Sequence, residues 1–442
     1  MAQLVGKHGV DGGWAINDAG DYDFPLSLYR KLPLMVQMIA GWVRLNFRLG
    51  AHYQNWTTPD SRGKTAFDQY DVVVNTCQAQ GLHILGLICN EAWPGHQADW
   101  CAGNAENGLG NGDNPYMQAL TNAFVEITKH YSGAISDYEI WNEPDAWTSH
   151  PSPTVYQGGS FIYPSNFAWL LHHVYNARIA GITIISGGLF GHNIGGQATP
   201  GDGYLADTYR QGKALANWNN DLQTYGRFPL DAIGQHIYVD QGGSTSATTI
   251  QYFLDAVHNA ASQNEPSPFS KPTVVTEIGW NTASVSESVQ AANLDASFGF
   301  INQTSYVTRA FWFNTQDEGT VPSDFNWGVF HTDSTQKPSL KAFQERSANY
   351  MDQSINDHWN SFFKQLQQLF PTQNIQLPRT GSGIYSAWYK LYVAGKQVGP
   401  ATSYEYNSID WGGNPIVCQD FGSWRCEWQN GNAKFYGPTG VM

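Results

Sequence analysis

The sequence has 442 residues, with 37 acidic against 23 basic side chains and a formal net charge of −14. This balance argues against a nucleic-acid or anionic-membrane partner, because both need a basic surface, and no run of about 18 apolar residues indicates a membrane span. Only 14% of residues are charged, whereas 14% are aromatic and 17 are tryptophan. Such a composition suits either a large aromatic core or surfaces that bind neutral ligands such as sugars.

Strand-like and helix-like patterns alternate through most of the chain. The predicted strands cover residues 4–10, 42–47, 83–89, 137–143, 182–190, 232–239, 273–280 and 310–316. The clearest helical patterns between them cover 67–81, 115–133, 165–181 and 286–303, and a last helix is predicted over 338–350. Two of these helices end at Gly133 and Gly181, the residue type that favours a helix C-cap.

This alternation predicts the fold class. Short buried strands that alternate with helices indicate parallel βαβ units. Eight of them are the number needed for a closed α/β (β/α)8 TIM barrel, which we place over residues 1–350. An open doubly wound sheet is the alternative, but the turn after the first strand, HGVDGGWA, lacks the G-x-G-x-x-G pattern of nucleotide-binding folds. We therefore expect no cofactor.

The end of the chain has a different composition. Residues 351–380 predict a helical connector, and residues 381–442 predict a small β-rich module that either binds polysaccharide or packs on the barrel. Cys418 and Cys426 flank a hairpin-like segment, QDFGSWR, so we expect a disulfide there. No cysteines form a C-x-x-C pair, so no metal site is expected.

The expected disulfide also indicates where the protein is located relative to the cell. Such a bridge, few lysines and many Asn, Gly and Trp fit an extracellular protein. The first ten residues, MAQLVGKHGV, lack the basic and apolar regions of a secretory signal. We nevertheless expect an extracellular protein whose signal is absent from this sequence.

Two of the predicted strands end in a glutamate. In YEIWNEPDAW the fourth strand runs into Asn142, Glu143 and Pro144, and in VVTEIGW the seventh strand carries Glu277. The active site of a barrel lies at the carboxyl ends of its strands, so both carboxylates should open into one cleft. Glu139 shares side-chain parity with Glu143 but lies about 13 Å lower. Two facing carboxyl groups are what glycoside hydrolysis requires.

The runs IWNEP and TEIGW resemble the paired signatures of clan A glycoside hydrolases, most closely families 39 and 5, over about residues 1–350. The resemblance implies a retaining enzyme that cleaves β-glycosidic bonds of a poly- or oligosaccharide by double displacement. Glu143 would be the acid/base and Glu277 the nucleophile. The region after residue 350 departs from the family 39 pattern, because the β-sandwich that uses both chain ends in that family is not expected here.

The same resemblance assigns five more residues. Arg44, in WVRLNF, resembles the arginine that orients the nucleophile and keeps it ionised, and Asn142 resembles the residue that bonds the sugar 2-hydroxyl. His236 and Tyr238, in QHIYV, resemble the histidine near the acid/base and the tyrosine that donates to the nucleophile. Trp312, in FWFN, resembles the platform under the cleaved sugar. Arg44, His236, Tyr238 and Trp312 also have alternative interpretations as structural residues of the barrel.

Further candidates for substrate binding lie just past strand ends, where an ordinary loop role is equally well supported: Glu91, Trp93, Trp280, Trp14, Trp147, Asp317 and Glu318. We expect a monomer with a carbohydrate substrate and with no nucleic-acid or membrane partner. A carbohydrate-binding barrel without activity is the alternative, but it need not keep Glu143, Glu277 and Arg44 together. A metal hydrolase would favour an H-x-H pattern on the first strand, where His8 has no such partner.

Overall fold

The computed structural model describes residues 7–11, 24–50, 53–93, 115–146, 161–191, 199–318 and 326–347, with shorter pieces between 384 and 441. The chain divides into two compact units, one of Lys7–Ser347 and one of Met1–Gly6 with Ala348–Met442. The predicted connector over 351–380 lies outside the described residues. Among the helices that are described, none has both the length and the apolar character needed to cross a bilayer.

Eight parallel strands build the larger unit. They are β1 (His8–Asp11), β2 (Trp42–Asn46), β3 (His83–Ile88), β4 (Asp137–Asn142), β5 (Thr183–Gly188), β6 (Ile233–Ile237), β7 (Thr273–Ile278) and β8 (Val307–Trp312). They pair in the order β5-β4-β3-β2-β1-β8-β7-β6. Bridges from Ile185 to Ala232 and from Leu189 to Gln235 bring β5 against β6. The predicted TIM barrel is confirmed, and β8 begins ahead of its predicted start at residue 310.

Helices follow the strands, as the alternation predicts. The described ones are α1 (Phe24–Gln37), α2 (Phe67–Ala79), α3 (Pro115–His130), α4 (Pro164–Ala177), α5 (Asp202–Ala214), α6 (Trp218–Tyr225), α7 (Ala247–Asn264) and α8 (Glu287–Gln303). Residues 338–347 are also helical. Ser246 and Ser286 cap α7 and α8, because each side chain accepts a backbone N–H of the first turn. Gly133 and Gly181 adopt the positive φ values, 83° and 86°, that suit a chain leaving a helix.

The barrel strands are buried on both faces, because one face meets the helices and the other lines the barrel interior. Every residue of β4 and of β7 is buried. The largest fully buried side chains include five tryptophans, Trp56, Trp141, Trp218, Trp280 and Trp312. Each removes about 150–250 Å² from water. Much of the aromatic content of the barrel therefore belongs to its core.

The smaller unit contains a five-stranded antiparallel sheet. Its strands are β9 (Tyr406–Ile409), β10 (Pro415–Phe421), β11 (Trp424–Gln429), β12 (Asn432–Gly437) and β13 (Gly440–Val441). Its buried core consists of Ile384, Trp388, Phe421, Trp424, Cys426 and Phe435. The chain end is therefore β-rich, as predicted.

The predicted disulfide between Cys418 and Cys426 is wrong, because both side chains are buried and neither forms a disulfide bond. β10 and β11 do form a hairpin, but Cys418 lies opposite Glu427 and Cys426 lies opposite Gln419. Residues directly opposite one another share a face of the sheet, whereas neighbours along a strand point to opposite faces. The two thiols therefore lie on different sides of the sheet. The extracellular location loses this support and stays a prediction.

Candidate active site

The end of β4 departs from regular strand geometry at two residues. Trp141 has φ 76° and Glu143 has φ 47°, values that residues other than glycine seldom adopt. In a regular strand Glu139 and Asn142 would point to opposite faces. Here both accept from Arg44, Glu139 Oε2 at 2.6 Å from Nε and Asn142 Oδ1 at 2.8 Å from Nη2. Trp141, the left-handed residue between Glu139 and Asn142, reverses the alternation of side-chain faces along the strand. Such backbone strain is typical of functional sites.

A bulge re-aims the end of β7 in a similar way. This strand carries one extra residue relative to β6, between Val275 and Glu277. The extra residue, Thr276, donates its hydroxyl to Glu139 Oε1 at 2.9 Å. The adjacent Glu277 accepts from Arg44 at 2.6 Å through Oε1. The bulge therefore turns two consecutive side chains into the barrel, as bulges beside active sites commonly do.

Arg44 is the cation that joins these strands. Its Nη1 donates to Asp11 Oδ2 at 2.8 Å as well as to Glu277. Burial disfavours its charge, but the carboxylates of Glu139, Glu277 and Asp11 outweigh burial and raise the pKa of Arg44 well above its ordinary value. The guanidinium is therefore a permanent charge whose planar fork fixes its partners. Glu139 is fully buried beneath the mouth, where its position in β4 predicts it.

Two residues at the end of β6 contact the glutamates. Tyr238 donates its hydroxyl to Glu277 Oε2 at 2.5 Å. Burial, followed by the charge of Glu277, raises the pKa of Tyr238 well above its ordinary value, so the phenol stays protonated. His236 Nδ1 lies 3.0 Å from Glu143 Oε1 and 3.6 Å from Glu277 Oε2. Burial opposes the imidazolium, but Glu277 and Glu143 outweigh it and raise the pKa of His236. A Cβ at Gly188 would lie 2.2 Å from the His236 ring, so this close approach requires glycine.

The two glutamates face each other. An oxygen of Glu143, an oxygen of Glu277 and a ring nitrogen of His236 all lie within 4.8 Å of one another. Three such atoms have the spacing of a metal site. Both oxygens of Glu277 are already bound, to Arg44 and Tyr238, and a dication would stand beside the buried guanidinium. These residues therefore fit a metal poorly.

The prediction that Trp280 and Trp312 contact substrate is wrong. Both are 0% exposed, and their ring centroids are 6.0 Å apart. The Trp312 ring also lies 6.3 Å from that of Phe298 in α8, so it occupies the layer between strands and helices. The side-chain direction of a strand-end residue depends on the bulges before it, and these could not be read from the sequence.

The remaining candidates have mixed outcomes. Glu91 accepts from Asn46 Nδ2 at 2.8 Å, and Trp93 is 6% exposed in the barrel core. Their contact with substrate stays a prediction. Asp317 and Glu318 form ion pairs with lysines at 2.8 and 2.6 Å. Two candidates lie outside the described residues, Trp14 and Trp147.

Three residues near the glutamates were not predicted. Asp11, at the end of β1, shares Nη1 of Arg44 with Glu277. The rule that strand ends build the mouth could have found it. Trp327, in the loop after β8, has its ring centroid 5.3 Å from that of Tyr238. Asp145 is fully buried just after Glu143. The last two lie in loops, where no periodicity marks them.

Comparison with known proteins identifies a matching family profile and several similar folds. The profile of the family described as "Glycosyl hydrolase catalytic core" matches residues 215–343, which include β6, β7 and β8. No curated protein matches the chain. The chain resembles an alanine variant of GH5_18 from Bifidobacterium longum subsp. longum ATCC 55813 in complex with Manb1-4GlcNAc, with 15% identity, 88% of this chain and 89% of that chain covered, and TM-score 0.53.

Two more solved structures are similar. One is an alanine variant of GH5_18 from Streptomyces cattleya in complex with Manb1-4GlcNAc, with 14% identity, 88% of this chain and 92% of that chain covered, and TM-score 0.52. The other is a family 39 glycoside hydrolase from Bacteroides cellulosilyticus WH2, with 16% identity, 96% and 70% covered, and TM-score 0.47. At such identities the likeness shows the fold alone. The profile match supports a glycosidase.

Proposed function

We propose that this protein is a retaining glycoside hydrolase that cleaves β-linked glycans by double displacement. The observation that carries the proposal is the spacing of the two carboxylates, because one oxygen of Glu143 lies within 4.8 Å of one oxygen of Glu277. Retaining enzymes hold their two carboxyl groups about 5–5.5 Å apart, whereas inverting enzymes need about 6.5–9.5 Å to admit a water molecule. Two oxygens within 4.8 Å of each other fit the shorter, retaining separation better than the longer, inverting one.

The surroundings of the two glutamates differ, and the difference supports their roles. The Glu277 side chain is 6% exposed and receives hydrogen bonds from Arg44 and Tyr238, which suits a fixed, ionised nucleophile. The Glu143 side chain is 20% exposed and contacts His236, which suits a group that gives up and regains a proton. A rigid anion and an accessible acid are the pair that double displacement requires.

The reaction follows from these positions. Glu143 protonates the glycosidic oxygen while Glu277 attacks the anomeric carbon, so the bond to the leaving group breaks and a glycosyl ester forms. Water then attacks that carbon, Glu143 takes its proton, and Glu277 departs as a carboxylate beside Arg44. Because Arg44 binds Asn142 through Oδ1, the Asn142 amide presents Nδ2 to a sugar hydroxyl.

The proposed substrate is a β-linked poly- or oligosaccharide, and the proposed partner is this carbohydrate alone. Two neighbours with the same fold are bound to the β-linked disaccharide Manb1-4GlcNAc. The partly exposed ring of Trp327, beside Tyr238, replaces Trp312 as the aromatic surface next to the nucleophile. A carbohydrate-binding barrel without activity would gain nothing from holding Glu277 between two buried donors.

Trapping with azide tests the assignment. Glu143→Ala should lose activity on natural glycans but keep fast glycosylation by a dinitrophenyl β-glycoside, whose leaving group needs no proton. Azide should rescue its slow second step and give a β-glycosyl azide, because two inversions retain configuration. Glu277→Ala should instead give an α-glycosyl azide, from one inversion. Glu345→Ala, which changes an exposed glutamate outside the site, is the control.

The products separate the alternatives. Azides of the opposite configurations would mean that Glu143 and Glu277 have exchanged roles. An inverted first product of the wild-type enzyme, observed by NMR, would overturn the retaining mechanism. Unchanged activity in both variants on every β-glycan that the wild type cleaves would overturn the site itself.

A further inference from the structure

Asp145 connects the turn that carries Glu143 to the next loop of the barrel. It lies two residues after Glu143 and is 0% exposed. Its Oδ1 accepts the backbone N–H of Phe190 at 2.8 Å, and its Oδ2 accepts that of Gly191 at 2.8 Å. Both donors follow β5, the strand beside β4 in the barrel. One buried carboxylate therefore joins two neighbouring loops at the mouth.

The backbone around Asp145 is shaped for a carboxylate. Gly191 has φ 67°, a conformation that favours glycine. At Gly201 a Cβ would lie 2.8 Å from Asp145 Oδ2, so the chain closes over this oxygen. A carboxylate accepts through both oxygens, whereas an asparagine side chain has one acceptor oxygen and would turn its NH2 toward the other backbone N–H. The pocket therefore selects an acid over its isosteric amide.

The same connection reaches the second glutamate. The Phe190 ring centroid is 5.7 Å from that of Tyr238, and Tyr238 donates to Glu277. At the other end, Glu143 holds a left-handed φ of 47°. Its own turn is closed by the bond from Ala146 N to Glu143 O at 3.0 Å. A strained residue persists only where its surroundings hold it, and Asp145 supplies the bonds to the neighbouring loop.

We infer that Asp145 is a positioning residue that holds the proton donor Glu143 in place against the loop after β5. This inference rests on the proposed function, because it takes Glu143 as the acid/base. Loss of the two bonds to Phe190 and Gly191 lets the turn relax, so Glu143 delivers its proton less well. Glu277 keeps Arg44 and Tyr238 and still attacks the sugar.

The test is the dependence of the rate on the leaving group. Asp145→Asn is compared with the wild type on aryl β-glycosides from dinitrophenyl to phenyl, made with the sugar that the wild type hydrolyses. We expect kcat/KM to fall about tenfold for the poor leaving groups, as part of the roughly 10²–10⁴-fold that acid catalysis supplies. The dinitrophenyl glycoside should lose far less, because it needs no proton.

Asp231→Asn is the matched control. Asp231 also accepts a backbone N–H, from Ile184 at 2.9 Å, and the hydroxyl of Tyr175 at 3.0 Å, but it lies near the start of β5 at the other end of the barrel. This variant should lower activity equally for every leaving group or leave it unchanged. Asp145→Ser is the second variant, for the case in which Asp145→Asn folds poorly. Its side chain is smaller and keeps one acceptor, and its rate should show the same steeper dependence on the leaving group.

The possible results distinguish the positioning role of Asp145 from the proposed acid/base role of Glu143. An equal loss for all leaving groups in both Asp145 variants, parallel to a lower Tm, would overturn the positioning role, and so would unchanged rates. Glu143→Ala is measured in the same series. If Glu143→Ala makes the rate depend more steeply on the leaving group and the Asp145 variants do not, only the positioning role of Asp145 is refuted. If Glu143→Ala does not make this dependence on the leaving group steeper, the assignment of Glu143 as the acid/base is refuted.

Discussion

The buried carboxyl group of Asp145 should make the stability of the barrel fall as pH rises. Burial raises the pKa of Asp145 from 3.8 to about 6, although the backbone donors of Phe190 and Gly191 act in the opposite direction. The folded state therefore holds this proton more tightly than the unfolded state. The contribution to stability is complete below pH 3.8 and is lost as pH rises through about 6. Each pH unit in that interval changes the free energy of unfolding by about 1.4 kcal/mol, so the loss is about 3 kcal/mol.

The assay compares the free energies of unfolding in urea of the wild type and Asp145→Asn at several pH values from about 4 to about 7. The variant has no group that titrates at this position. The difference between the two free energies of unfolding therefore removes the contributions of most other ionisable groups. Relative to the variant, the wild type should lose about 3 kcal/mol over this range. A difference that is flat, or that favours the wild type more as pH rises, would refute the reasoning.

Three further predictions concern the mouth of the barrel. Gly188→Ala should lower kcat/KM about 100-fold with little change in KM, because its Cβ would lie 2.2 Å from the His236 ring and displace it; an unaltered steady-state rate would contradict this. Trp327→Ala should raise KM about fivefold through the loss of about 1 kcal/mol of ring contact, measured in steady-state kinetics with the substrate; an unaltered KM would exclude its role as the sugar surface. Arg44→Met should lower the free energy of unfolding by about 3–5 kcal/mol, because it leaves the fully buried Glu139 without its cation. A loss below about 1 kcal/mol in urea unfolding would show that this charge does not need Arg44.

Local features of the sequence predict the barrel and the position of its two glutamates. Hydrophobic periodicity is a property of short segments, so all eight strands could be recognised without their partners. Glu143 and Glu277 were selected because parallel strands all end at the same rim. Arg44, His236 and Tyr238 followed from the family resemblance, and the structure brings all three into contact with these glutamates.

The direction of individual side chains was decided only by the tertiary structure. The period of two along a strand shifts with each inserted or left-handed residue, such as Thr276 in the bulge of β7 and Trp141 at the end of β4. For that reason the burial of Trp312 behind the barrel could not be read from its position in β8. The hairpin of Cys418 and Cys426 was predicted, but its register separates their side chains by one residue and therefore by a whole face of the sheet. Register and bulges are set by pairing with strands that are distant in sequence, so only the folded chain determines which side chains meet.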